Sequence, residues 1–325
     1  MMIKLDKKDR KILYQLDIDS RQSANQIGRK VGLPRSVVTY RLARLQEHGV
    51  TTNFYTLIDS MALGFIPIRI HIKFQYVTTE IVQEIIHYFS QVRHTTLVGL
   101  AEGFFNLSVV MDVRDIHDFY DAWQEAKKRY GFYFQNHTLS FFVSEMRFNQ
   151  SYLLMDEAKK HHRETFSFIG KRSIGELDSI DAKILRAISC NATIKLVELS
   201  KELDISSVAI QYRMKKLIDN GVILGYKVNI DVTKIGYQKV KVYVYLKDFS
   251  NRAKIIEYIK YDHNLINIDT NTGESDLELE YVVENVEMLR SKMKDLIDTL
   301  PNVIKNYDII THIQFYKYIY FPEYP

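Results

Sequence analysis

Apolar residues in the first fifty positions recur at helical spacing. Leu5, Ile12, Leu13 and Leu16 share one side of a segment whose start Asp6 suits as a cap. Asp19–Ser20 breaks that segment, and Ser23 is placed to cap a second helix, ANQIGRKV. Val38, Leu42 and Leu45 then recur at i, i+4 and i+7 in a third, after the turn Gly32–Leu33–Pro34. Gly49 ends it, since glycine accepts the left-handed conformation that closes many helices. Three short helices with a tight turn before the third predict a helix-turn-helix head, with residues 33–50 as its recognition helix.

After residue 50 the period changes. Ile66, Ile68, Ile70, Ile72 and Phe74 alternate, the signature of a half-buried strand, with Pro67 near its start. Residues 79–91 form an amphipathic helix, 95–99 and 105–113 are strand-length apolar runs, 114–130 a second helix and 135–147 a last alternating strand. This βαββαβ order predicts a ferredoxin-like sandwich with helices on one face only. Residues 151–173 are charged, lack an apolar period and read as a linker.

The second half repeats the first. Leu5–Asp6, Asp9 and Ile12–Leu13 return as Leu177–Asp178, Asp181 and Ile184–Leu185, an offset of 172. Past the first strand of the sandwich the offset is 170, pairing Gly103 with Gly273 and Asn106 with Asp276. The expected class is therefore α+β, with heads at 1–52 and 174–224, sandwiches at 53–150 and 225–325, and a linker at 151–173. Two one-sided sheets in one chain cover each other, so the copies should form an intrachain pseudo-dimer by packing face to face. That layout is compatible with further self-association.

Charge sharpens the picture. The chain carries only +4 in total. Residues 1–52 hold 11 Lys and Arg against five Asp and Glu, a net charge of +6, whereas residues 177–222 hold seven against six. Phosphate neutralisation dominates DNA affinity, so double-stranded DNA is the expected partner and the first head the stronger binder. Candidate contacts are Arg35, Ser36, Thr39, Tyr40, Arg41 and Arg44 in the first head, with Arg41 and Arg44 as the main anchor. In the second they are Ser206, Ser207, Gln211, Tyr212, Arg213 and Lys216, where Gln suits adenine and Arg guanine. Two unequal helices suit an asymmetric or pseudo-palindromic site.

Other chemistries lack their signatures. The sequence contains no glycine-rich phosphate loop, no G-x-S-x-G and no H-E-x-x-H, so no catalytic residue and no cofactor is expected. His161–His162 has no partner ligands at metal spacing. One cysteine, Cys190, a charged N-terminus and no run of ~20 apolar residues lead to an expectation of a cytoplasmic protein with no membrane span.

The order L-D-x-x-D-x-x-I-L, a glycine-led turn, x-Y-R-[LM]-x-x-L and G-V, present twice, resembles the Lrp/AsnC family of transcription regulators. The stretch Gly221–Asp231 is similar to that family's strand between head and sandwich, and Thr272–Asp276 to its glycine-x-x-aspartate loop. The resemblance implies a DNA-binding regulator with a ligand-sensing sandwich and an amino-acid-like effector at the interface between sandwiches. By position, the effector residues would be Gly103 and Asn106 in copy one and Gly273, Glu274 and Asp276 in copy two.

An alternative is a siroheme decarboxylase-like enzyme of fused two-subunit type, a family that resembles the same architecture. Val92–Thr96, with His94, and Phe105–Leu107 echo that family faintly, and copy two offers only His263–Asn264. A tetrapyrrole acid needs cations for its carboxylates and a proton donor, and no such cluster is visible along the chain.

Overall fold

The computed structural model describes residues 2–160, 165–168, 177–273 and 275–324. Head one comprises α1 (Lys7–Ile18), α2 (Ala24–Val31) and α3 (Arg35–Glu47). Both expected caps form: Asp6 accepts from the Asp9 N–H and Ser23 from the Gln26 N–H, each within a reciprocal capping box. Strand β1 (Thr51–Ile58) leads into copy one of the sandwich: β2 (Ile66–Phe74), α4 (Thr79–Gln91), β3 (Thr95–Glu102), β4 (Leu107–Val113), α5 (Ile116–Tyr130) and β5 (Phe134–Phe148). Residues 151–160 turn helically against α1, and β6 (Thr165–Phe168) adds to the end of β5. Both stretches lie inside the expected linker and are packed on the folded body. The pair His161–His162 lies outside the described residues.

Copy two repeats the order: α6 (Ser179–Ser189), α7 (Leu196–Leu203) and α8 (Ser207–Asp219), then β7 (Ile223–Ile230), β8 (Gln238–Leu246), α9 (Arg252–Ile259), β9 (Leu265–Thr272), β10 (Leu277–Val283), α10 (Val286–Thr299) and β11 (Ile304–Tyr318). The fold is α+β, with two helix-turn-helix heads and two ferredoxin-like domains. Ile68, Ile70, Ile72, Val98, Val109 and Met111 pack under Phe89 and Trp123 of the copy-one helices. Val240, Val242, Val244, Leu279 and Tyr281 pack under Leu289 and Met293 in copy two.

The copies are joined more intimately than two sheets laid face to face. The last strand of each copy is 15 residues long and serves both sheets. Phe134–Phe141 pairs with β2 of its own copy, and Phe141–Arg147 then pairs with β9 of the other. Ile304–Thr311 pairs with β8, and Thr311–Tyr318 with β3. Eight strands thereby close into a ring, β2-β4-β3-β11-β8-β10-β9-β5 and back to β2. Closure removes open sheet edges, which face-to-face packing would have left exposed.

The heads also cross over. β1 and β7 form their own antiparallel ribbon. Head one packs on Val228, Ile230, Val232, Ile266 and Val282 of copy two, and head two on Ile58, Leu63 and Phe65 of copy one. Neither head therefore sits on the sandwich that follows it in sequence.

Candidate functional site

The two recognition helices present their first turns outward. In α3, Arg35, Ser36, Thr39 and Tyr40 are exposed, Tyr40 by 68%. Val38 and Leu45 face inward with no exposure, so core packing fixes which face is offered. In α8, Ser206, Gln211, Tyr212 and Lys216 are exposed and Ser207 half-buried. Ser206 is not itself in the helix: its hydroxyl caps it by accepting from the Ala209 N–H. Val208, not anticipated as a contact, is exposed by 77% on the first turn.

Arg41 and Arg44 do something other than wait for phosphate. Arg41 donates at 2.7 Å to both Asp6 and Asp9, and Arg44 donates to Asp9 at 2.6 Å. The Asp9 side chain is 1% exposed, so these pairs staple α3 to the start of α1. The two carboxylates hold the Arg41 guanidinium above its ordinary range. Partial burial pushes the Asp6 carboxyl up, but the Asp9 N–H and Arg41 outweigh it and hold it below its usual value. Arg213 repeats the staple on Asp178 and Asp181 at 2.6 and 2.7 Å. The expectation that Arg41 and Arg44 are the main anchor is thus revised: both are committed to pairing within the head. Lys216, the counterpart of Arg44, has no such pair. Arg29 and Arg35 remain exposed beside the turn, and among the described residues neither is in an ion pair.

The glycine loops are held by packing. A side chain on Gly103 would meet the Ile310 Cδ1 at 2.2 Å, and one on Gly273 would meet the Leu139 carbonyl oxygen and the Ser140 Cβ at 2.7 Å. Asn106 accepts from the Phe74 N–H at 3.0 Å, and Asp276 from the Leu246 N–H at 2.7 Å. Each therefore ties the loop to a neighbouring strand end in its own copy. Glu274 lies outside the described residues.

The ring encloses a cavity of about 400 Å³ that draws its lining from both copies. Five cations face it, Arg69, Arg147, Lys227, Lys239 and Lys241, together with Asp17, Glu145, Asp269 and Glu280. Arg69, on β2, reaches across to Glu278 and to Asp269 at 3.4 Å, and Lys241 bonds the same two at 2.6–2.7 Å. Burial would push the Glu278 carboxyl up, but Arg69 and Lys241 hold it well below the ordinary range. Arg147 pairs with Glu145 at 2.6 Å. Lys227 meets Asp17 at 3.4 Å and Asn149 at 2.5 Å. His312 also lines the cavity, and burial with Lys241, Arg69 and Lys239 around it outweighs Glu280 and pushes its imidazole down to about 4.

Sequence reasoning found no such cluster visible along the chain, and the structure brings these cations together. The cations lie on strands of both copies, with Arg69, Arg147 and the group Lys227, Lys239 and Lys241 each more than seventy residues apart in the chain, so no local spacing brings the three places together. The alternating strands do show that Arg69 and Lys241 occupy equivalent inward positions, and that signal was available. His94, the residue singled out for the enzyme reading, is elsewhere: its Nε2 lies 3.6 Å from Asp118 of α5.

Two family descriptions match the heads, an AsnC-type helix-turn-helix domain over residues 5–46 and a winged helix-turn-helix DNA-binding domain over residues 177–223. The HTH-type transcriptional regulator Ptr1 of Methanocaldococcus jannaschii is 30% identical over 128 residues, 39% of this chain and 86% of that protein. The chain belongs to the Lrp/AsnC family. The regulatory protein AsnC of Haemophilus influenzae is 27% identical over 128 residues, 39% of this chain and 85% of its own length. Each relative therefore corresponds in length to one of the two fused copies. A crystal structure of the siroheme decarboxylase NirDL is similar over 98% of this chain and 95% of its own, with a TM-score of 0.65 and 13% identity. At that identity the likeness concerns fold. Among the described residues no helix is long and apolar enough to cross a membrane.

Proposed function

We propose that this Lrp/AsnC-family chain is a transcription regulator that grips DNA with both heads, head one more tightly, at an asymmetric or pseudo-palindromic site. Its grip responds to a small amino-acid-like effector held between the sandwiches. The observation that carries the reading is the pair of outward first turns, one beside the exposed Arg29 and Arg35 and the other nearly neutral. Selection of binding sites from random duplexes supplies a probe, and a gel shift then measures Arg29→Ala and Arg35→Ala. Each should weaken binding by about tenfold and make the salt dependence less steep by about one unit. Unchanged affinity in the double variant would sink the reading.

One observation favours a siroheme decarboxylase-like reading, namely five cations around an interior cavity in a chain whose whole fold resembles NirDL. Against it, four of those cations already pair with carboxylates of the protein, leaving only Lys239 for a tetrapyrrole's many acid groups. Incubation with siroheme, followed by mass analysis for lost carboxylates, decides between the two.

A further inference from the structure

The first sandwich helix rests on its sheet differently in the two copies. The repeat offset of 170 pairs α9 with α4, Ile255 with Ile85 and Ile259 with Phe89, all of them buried. In copy one, Tyr316 of β11 fills the space beside α4. It packs with Val82, Ile86 and Leu100 on the same core, and Gln83 donates to its hydroxyl at 3.4 Å. The counterparts of Tyr316 and Gln83 are Met146 and Ala253, both smaller. A groove of about 480 Å³ opens between them, lined also by Ile256 and Ile268, with Phe249 exposed by 60%. It lies on the helix-covered face of the sheet. The chain neighbours Glu145, Arg147, Asn267 and Asp269 point the other way, into the interior cavity.

Divergence has also placed a charge there. Val82 and Leu100 of copy one correspond to Arg252 and Thr270, which both line the groove. An apolar pair in one copy is thus a cation and a hydroxyl in the other. Arg252 is half-buried, donates to the Thr270 hydroxyl and lies over the Phe249 ring at 5.3 Å. Among the described residues it takes part in no ion pair. Burial pulls its guanidinium below the ordinary value, and Asp276 offsets this only in part. A guanidinium has five N–H donors and keeps its proton, so Arg252 retains donors for an anion. No carboxylate lines the groove, so an ammonium entering it would meet no counter-charge.

We propose that this groove binds an apolar monocarboxylate, an acyl or aryl carboxylic acid whose carboxylate meets the Arg252 guanidinium and the Thr270 hydroxyl. The body of the acid lies along Met146, Ile256 and Ile268, and Phe249 covers it. Small-molecule sites typically measure roughly 300–1,000 Å³ and combine an apolar lining with a few polar groups, as this one does. The planar guanidinium suits a carboxylate because two parallel N–H groups can bond its two oxygens. A second charge on the ligand would lie against Met146 and Ile256, which offer it nothing. The chain has one such site, since copy one holds Tyr316 in the space and Val82 in place of the cation. The groove is separate from the cavity between the sandwiches and from both heads, so the inference rests on no reading of either.

The test is calorimetry and thermal shift on the full chain with octanoate, decanoate and 4-phenylbutyrate, and with 1-octanol, octylamine and leucine as controls. At least one acid should bind at one per chain and raise the melting temperature, while each control binds at least tenfold more weakly. Arg252→Met keeps an apolar stem and removes the charge, and it should weaken binding about tenfold or more. Met146→Tyr combined with Ala253→Gln rebuilds the packing of copy one and should abolish binding. Tyr316 shows that this frame accommodates the tyrosine, and circular dichroism verifies that both variants fold. Lys239→Met, in the interior cavity, should leave acid binding unchanged. Failure of all three acids, two bound per chain, equal binding of octanol or octylamine, indifference to Arg252→Met and to the refilled groove, or loss of binding in Lys239→Met would each overturn the inference.

Discussion

Asp9 decides what the arginines of α3 are free to do. It is fully buried, and a buried carboxylate without a cation is costly, so Arg41 and Arg44 are retained as its counter-ions. Arg41→Ala should therefore lower the urea midpoint of head one, at a cost of about 2 kcal/mol, before any effect on DNA is considered. Arg35→Ala should leave that midpoint unchanged while weakening the gel shift. At the other recognition helix, Val208 replaces Ser36 at the equivalent position and is exposed. An exposed apolar side chain on that turn suits the methyl group of thymine, beside Gln211 for adenine. Replacing single thymines by uracil in a selected site should weaken the wild type severalfold at one position and leave Val208→Ser indifferent there. A uniform response across all positions would remove Val208 from recognition.

Among the elements, the long last strands do the most. β5 and β11 each leave their own sheet midway and finish in the other, so the ring depends on close passage where each crosses. Gly103 and Gly273 sit beside those crossings with φ of +148° and +151°, a region that side chains rarely adopt. What each meets differs. Gly273 abuts backbone of β5, whereas the nearest atom to Gly103 is the far end of the Ile310 side chain. Gly273→Ala should accordingly destabilise more than Gly103→Ala, with costs of order 1–3 kcal/mol in urea unfolding. Adding Ile310→Val to Gly103→Ala should recover part of the loss, because it removes the obstructing methyl. No comparable single side chain relieves Gly273→Ala. A reversed order would mean that the crossing at Gly103 is the tighter one.

Across the whole molecule, fusion has let two equivalent surfaces become unlike. Asp269, Glu278 and Glu280 of copy two stand where copy one has Gly99, Ser108 and Val110, and the copy-one Arg69 answers the first two. A homodimer would have to place the same acids on both faces. The head attachments differ too. Head one is fixed by Asp17, which accepts from Gln150 at 2.8 and 3.0 Å and meets Lys227, while the counterpart of Lys227 in copy one, Tyr55, stacks on Tyr320 at 4.0 Å. His312 reports on the same asymmetry, since its counterpart is Phe142. Its imidazole titrates at about 4 in the fold, against an ordinary value of 6.5. Between those values the unfolded chain binds the additional proton. Stability is therefore retained above pH 6.5 and falls as pH drops towards 4. Equilibrium unfolding at several pH values should show this slope in the wild type and a shallower one in His312→Phe. Equal slopes would mean that burial beside Lys241, Arg69 and Lys239 does not keep the imidazole neutral.

The sequence by itself determined the local structure and the duplication. Helix starts at Asp6 and Ser23, the helix 79–91 and the alternating strands follow from period and capping, which act between residues a few positions apart. The repeat is legible because it is a comparison of the chain with itself. Tertiary structure decided everything that joins distant residues. It set which arginines of α3 remain free, because Asp9 is 32 residues from Arg41 in the chain and 2.7 Å from it in space. It set the strand crossings, since an alternating strand pairs equally well with either neighbour until both sheets are present. It also built the cavity, whose charges are scattered over both copies and meet only when the ring closes.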